Sequence, residues 1–232
     1  MKKILVLMAV FIFMLSSTTF AEENMRTISV RGEGIVETSP DRATISVGVI
    51  CRDKDAAKVQ NESARISSEV INSVVALGIE RKNIRTGNYN FRQLYRTDDK
   101  GRDIFEGYEV TNSVTIVSDD IKLIGKIIDV SLSRGANSID SLQFGLRDKK
   151  IFQTEAIQLA VRDARAKAEI VARELGKNII GVKSVSVNSD SISAPRYAKF
   201  EMAYVGGNNF STPIESGSVS CSASVNIEFE IN

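Results

Sequence analysis

Alternation and helical periodicity divide the chain into elements. Apolar and polar residues alternate over 27–36 around Gly32 and Gly34, which reads as a strand that bends or bulges at the glycines. A second alternating run, 44–51, puts Ile45, Val47, Val49 and Cys51 on one face. Val59, Ser63, Ile66, Val70, Val74 and Leu77 then recur at helical spacing and predict a helix over 53–77 that Gly78 ends. Strands over 84–95 and 105–117 flank the polar turn 97–103 as a hairpin, with Tyr108, Val110, Val114 and Ile116 on the apolar face of the second arm. A second helix, capped by Ser118 or Asp119 and directing Ile121, Ile124, Ile128 and Leu132 inward, leads to a strand over 139–146.

Strand, helix, strand, strand, helix, strand is the split βαβ order of a ferredoxin-like two-layer sandwich, here over 44–147. The outer face of its sheet carries Thr44, Ser46, Gly48, Thr111, Ser113 and Thr115, polar enough to meet water or to receive another layer or subunit. The third helix, 149–175, has a narrow stripe of Phe152, Ala156, Ala160, Ala164, Ala168, Val171 and Leu175 that permits close approach to a sheet or a helix. Asp163 with Lys167 and Glu169 with Arg173 form i to i+4 pairs on its solvated face. Strands over 179–187 and 218–231 enclose the segment 188–217, rich in Ser, Gly, Asn and Pro yet containing Tyr197, Phe200, Met202, Tyr204 and Phe210. The expected fold is therefore α+β with two two-layer sandwich units. One is the ferredoxin-like unit, and the other is assembled discontinuously from 22–43 and 148–232.

Residues 1–21 read as an export leader rather than part of the fold. Lys2 and Lys3 precede an apolar run from Ile4 to Leu15, and Thr19 and Ala21 are small residues at the positions a signal peptidase reads. The run is short of the ~20 residues a spanning helix needs. No further long apolar segment follows, so no transmembrane segment is expected after cleavage. Removing the leader takes away two lysines and no acid, which turns the formal charge from +1 to −1. A near-neutral chain lacks the basic footprint of a nucleic-acid-binding protein. The expected location is the periplasm, with association to the outer membrane.

The chain contains no histidine. Imidazole bases, histidine metal sites and Ser-His or Cys-His nucleophiles are excluded. Arg31-Gly32-Glu33-Gly34 lacks the third glycine and the strand-to-helix setting of a dinucleotide site. The acid pairs Asp98-Asp99 and Asp119-Asp120 fit a turn and a helix start. No catalytic, cofactor-binding or metal-ligating residue is expected. Cys51 and Cys221 both lie on apolar strand faces. They read either as two buried, unreactive thiols or as a disulfide closing a long loop, worth about 4 kcal/mol or more by loop entropy. A redox pair ranks last, since no CxxC spacing is present. Tyr89, Phe91 and Tyr95 alternate with Arg92 and Arg96 and read as core or subunit interface rather than a nucleic-acid stacking platform.

Several stretches in order resemble one family. They are Arg26-Thr27-Ile28-Ser29-Val30-Arg31-Gly32-Glu33-Gly34, Ser39-Pro40-Asp41-Arg42-Ala43-Thr44-Ile45, Gly107-Tyr108-Glu109-Val110-Thr111-Asn112, Gly135-Ala136-Asn137, Ala164-Arg165-Ala166-Lys167-Ala168-Glu169 and Val225-Asn226-Ile227-Glu228-Phe229-Glu230-Ile231. Together they are similar to the SIMPL-domain family of bacterial periplasmic and outer-membrane-associated immunogenic proteins. The segment 194–215 also resembles that family's linker before the last strand. Cys221 departs from the pattern, where an aliphatic residue is expected, so no family disulfide carries over. The resemblance implies an exported protein of paired α+β units without an established catalytic residue. It also implies large ring- or channel-shaped oligomers in some members and a proposed role in oxidative-stress protection. The expected function is thus a non-enzymatic, self-associating envelope protein, with itself and envelope components as partners. The long helix and Tyr197, Phe200, Tyr204 and Phe210 are its candidate contacts. A periplasmic ligand-binding module using the aromatic segment 194–215 is the alternative.

Overall fold

The structure, a computed structural model, describes residues 26–193 and 212–232. Among the described residues, seven strands form two antiparallel sheets. β2 (Arg42–Asp53), β3 (Ile84–Thr97), β4 (Asp103–Ser118) and β5 (Ser138–Gly145) make one sheet in the order β3-β4-β2-β5. β1 (Thr27–Thr38), β7 (Val219–Ile231) and β6 (Ile179–Ser193) make the other, in the order β1-β7-β6. Helices α1 (Ala56–Ala76) and α2 (Ile124–Ser133) pack on the first sheet, and α3 (Lys149–Glu174) packs on the second. The fold is the expected α+β pair, and the four-stranded sheet has the ferredoxin-like order.

In the first unit, Ile45, Val47 and Val49 of β2, Val114 and Ile116 of β4, Val70 and Val74 of α1 and Ile124 and Ile127 of α2 close an apolar core. The helical stripe expected for α1 is the buried one from Val59 to Val74, with Ser67 added, while Leu77 is the half-buried C-cap just past the helix. Its first turn is capped by Asp55, whose carboxylate accepts from the backbone N–H groups of Ala57 and Lys58. The stripe expected for α2 is rotated. A single 3₁₀ turn, Ile121–Leu123, precedes the helix, so that Ile127 is buried and Leu132 is 44% exposed. Neither Ser118 nor Asp119 caps α2 itself: Asp120 caps the 3₁₀ turn by accepting from the N–H of Lys122, and the helix then starts from Leu123 without a side-chain cap. The outer face of the sheet is less open than its polarity suggests. Ser113 and Thr115, on a central strand, are buried, with Gly48 and Ser46 opposite them on β2 and Asn88 and Arg85 opposite them on β3.

The second unit corrects the reading of Gly32 and Gly34. The β1–β7 ladder runs from Thr27 opposite Glu230 to Thr38 opposite Val219 without a shift, so no bulge is present. The glycines instead let α3 lie directly on the strand. A Cβ at Gly32 would overlap the carbonyl oxygen of Ala160 and come within 2.6 Å of the amide nitrogen of Ala164, and one at Gly34 would meet Ala156 and Ala160 in the same way. The stripe on α3 is Ala156, Ala160, Ala164, Ala168 and Ala172, every one buried. Val171 and Leu175, expected in that stripe, are 40% and 61% exposed because a run of i+4 steps drifts around the helix. The small-residue face is therefore consumed within the chain and is not free for another subunit. Asp163 and Lys167 pair at 2.6 Å, but as a clamp rather than surface decoration. Asp163 also accepts from the N–H of Glu33, and Lys167 donates to the carbonyl of Arg31. Glu169 pairs with Arg165, not Arg173.

A helix about 10 Å wide covers roughly two strands spaced ~4.8 Å apart. Two helices therefore suffice for four strands, whereas α3, seated chiefly on β1 and β7, meets β6 at Ile179 and leaves the valines beyond it exposed. After the segment 194–211, the chain returns on the first unit. The side-chain hydroxyl and backbone N–H of Thr212 both donate to the carboxylate of Asp129 on α2, and Ile214 packs against the first core.

Candidate functional site

β3 and β4 are longer than the sheet that holds them. β2 ends at Asp53, opposite Tyr108, so the part of the hairpin beyond Gly107 has no third strand beside it. At that junction Gly107 has φ 149°, and a Cβ there would lie 2.7 Å from the carbonyl oxygen of Asp53. The ladder also shifts between Leu94 and Tyr95. Both features turn the protruding ribbon relative to the sheet.

One face of this hairpin is aromatic. Phe91 and Tyr108 have ring centroids 5.5 Å apart, Tyr108 and Phe105 5.2 Å, and Phe105 and Tyr95 5.8 Å. Interplanar angles of 33°, 70° and 69° interlock the rings edge to face instead of laying them flat. Tyr89, Phe91, Tyr95 and Phe105 are nevertheless 41–55% exposed. Of the two readings the sequence supports, a core position is thus overturned, because α1 begins only at Ala56 and does not reach over the ribbon.

The opposite face is ionic. The carboxylate of Glu109 accepts from the guanidinium of Arg52 at 2.6 Å and from that of Arg92 at 2.8 Å, tying β2, β4 and β3 together. Its side chain is only 4% exposed, shielded by two arginine side chains that are themselves 67% and 58% exposed. The hydrogen bond from Arg52 holds the Glu109 carboxyl below its usual range, against the opposing effect of burial. Arg96 pairs with Glu106, and in the tip the carboxylate of Asp98 accepts from the N–H groups of Lys100 and Arg102. Of the acid pair Asp98-Asp99, Asp98 ties the turn together, and the Asp119 carboxylate accepts from the Arg42 guanidinium at 2.7 Å.

The structure does not bring Cys51 and Cys221 together. Both are free thiols on different sheets, Cys51 half-buried against the first core and Cys221 buried in β7. Loss of hydration raises the thiol pKa of each. Tyr197, Phe200, Tyr204 and Phe210 lie outside the described residues. The sequence pattern points to Tyr89, Phe91 and Tyr95 but not to the union of Phe91 and Tyr95 with Phe105 and Tyr108, nor to the burial of Glu109. Both depend on the cross-strand register, and the only local hint was the aromatic–arginine alternation of β3.

Relatives place this architecture. The chain is 30% identical over 227 residues, 93% of its own length and 91% of the relative's, to the 26 kDa periplasmic immunogenic protein of Brucella melitensis. It is 29% identical over the same shares to the protein of that name in Brucella abortus. To the uncharacterized protein YggE of Escherichia coli K12 it is 25% identical over 158 residues, 68% of this chain and 64% of that one. Residues 28–229 match the family model SIMPL, described as a protein of unknown function (DUF541), a span that takes in both sheets and all three helices, and the chain accordingly belongs to the SIMPL family.

Proposed function

We propose that this chain is exported to the periplasm and acts there without catalysis, as a self-associating envelope protein whose contact surface includes the aromatic face of the β3–β4 hairpin. The observation that carries the reading is the row of interlocked rings in which Phe91, Phe105 and Tyr95 are exposed around a half-buried Tyr108, on a ribbon held from behind by ion pairs. Monomeric proteins rarely leave such a patch uncovered unless it binds something. Export is supported by the leader-like residues 1–21 and by the word periplasmic in the names of the Brucella relatives. The absence of histidine from the sequence removes imidazole-based acid–base and nucleophilic catalysis from the options. A part in protection against oxidative or envelope stress belongs to this reading, exercised by the assembly rather than by a reaction. Light scattering on the mature chain at tens of micromolar is the test. An assembled species is expected, and a monomer overturns the proposal. N-terminal sequencing of the periplasmic fraction is expected to begin at Glu22.

A further inference from the structure

The second unit holds a cleft that matches the hairpin in kind. Val182, Val185 and Val187 of β6 stand opposite Phe229, Ile227 and Val225 of β7, which pack under the alanines of α3. The three valines point to the helix side of the sheet, yet they are 53%, 54% and 47% exposed because α3 is seated chiefly on β1 and β7 and meets β6 at Ile179. The helix flank that borders this lane carries Arg165, Glu169 and Arg173, which line a depression with Ile179 at the start of β6. Val161, one turn before Arg165 and 39% exposed, continues the same flank. The lane is apolar at its floor, open along one side, and edged by a strand whose outer backbone row has no partner among the described residues.

The hairpin and the lane answer each other's deficit. Four rings about half exposed, of a type that buries 150–250 Å² when covered, present on the order of 300–500 Å². That is roughly half of the ~800 Å² that one partner brings to a standard interface. Two hairpins meeting face to face therefore fall short, whereas a hairpin that enters the lane adds the valines, the α3 flank and the open β6 edge. A lipid surface fits the hairpin poorly, because the tip that would enter first is Asp98-Asp99-Lys100-Gly101-Arg102-Asp103. Over 89–108 four basic residues balance four acidic ones, so no net charge draws a polyanion. A glycan strand stacks on coplanar rings, and these are mutually tilted.

We infer that the aromatic face of the β3–β4 hairpin of one copy seats in the α3–β6 lane of a second copy, a head-to-tail contact that uses a different surface on each partner. The inference rests on the self-association reading and names its two halves. Such a contact leaves every copy with one unused hairpin or lane until the assembly closes or extends.

The test is complementation between two variants. Phe91→Glu with Phe105→Glu disables the hairpin, and Val182→Glu with Val185→Glu disables the lane, all four positions being exposed. Thermal melting by circular dichroism establishes that each variant is folded. Light scattering is then expected to find wild type assembled, each variant monomeric, and their equimolar mixture at twice the variant mass and no larger, since one competent hairpin and one competent lane remain. A lane variant that assembles like wild type overturns the inference, as does a mixture that stays monomeric. Neither result touches self-association itself, which fails only if wild type is a monomer. Should a variant not fold, Phe105→Cys and Val185→Cys, each made with Cys51 and Cys221 replaced by Ala, are mixed under mild oxidation. Disulfide-linked heterodimers at a yield several-fold above either homodimer are expected, and equal yields of all three species overturn the contact.

Discussion

A glycine inside a strand weakens it, and β1 carries two on the same face. They are explained by α3, because Gly32 and Gly34 leave the only room for the backbone of the Ala156–Ala164 stretch. Gly32→Ala forces a Cβ into a carbonyl and an amide of a helix that cannot yield locally. The expected cost is about 3 kcal/mol, the upper end for overpacking, read as a lower urea midpoint. A change within 0.5 kcal/mol would mean that α3 is not seated on β1. Glu109 is the second residue with a disproportionate share. Its covering arginines are more than half exposed, which puts the ion pairs between the surface and buried regimes. Glu109→Gln is expected to cost about 1–2 kcal/mol in the same measurement, on the scale that lies between those regimes.

The hairpin and α3 behave oppositely as elements, and the sequence announces both only in part. Every strand and helix of the two units is visible in the apolar periodicity, as is the ferredoxin-like order. The sequence pattern cannot say which partner a small-residue face has chosen. The alanine stripe and the glycine pair are two halves of one contact separated by more than a hundred residues, and each alone suggests something else, a subunit interface or a bulge. The aromatic row is hidden for a related reason. Alternation over β3 looks like that of any half-buried strand, and only the register with β2 shows that the sheet stops at Tyr108 while the ribbon continues. An element stabilised chiefly by its own hydrogen bonds contributes little to the core. Phe105→Ser is therefore expected to shift the unfolding free energy by about 1 kcal/mol or less, the range for exposed positions and a single aromatic pair, while lowering the scattering mass of the assembly. A large loss of stability with the mass unchanged would return the aromatics to a structural role.

For the molecule as a whole, the missing histidine shapes the pH response. Among the described residues, the carboxyl groups whose pKa is displaced by folding, including Glu109 held down by Arg52 and Asp119 held down by Arg42, all move below their usual 4.5 and 3.8. A depressed folded pKa contributes stability that is present above the unfolded value and is lost as pH falls through the folded one. The acid limb thus opens below about pH 4.5, where carboxyls in the unfolded chain begin to take up protons. At the other end, burial pushes the thiols of Cys51 and Cys221 above their usual 9.0. A raised folded pKa contributes stability that is complete below the unfolded value and is lost as pH rises through the folded one, so the alkaline limb opens above about pH 9. Between these limits no displaced side chain among the described residues changes charge, and the urea midpoint is expected to stay level from about pH 5 to 8. Replacing both cysteines by Ala is expected to flatten the alkaline limb and leave the acid limb where it is. A midpoint that climbs or falls between pH 5 and 8 would show that some other displaced group, or assembly itself, is taking up protons in that range.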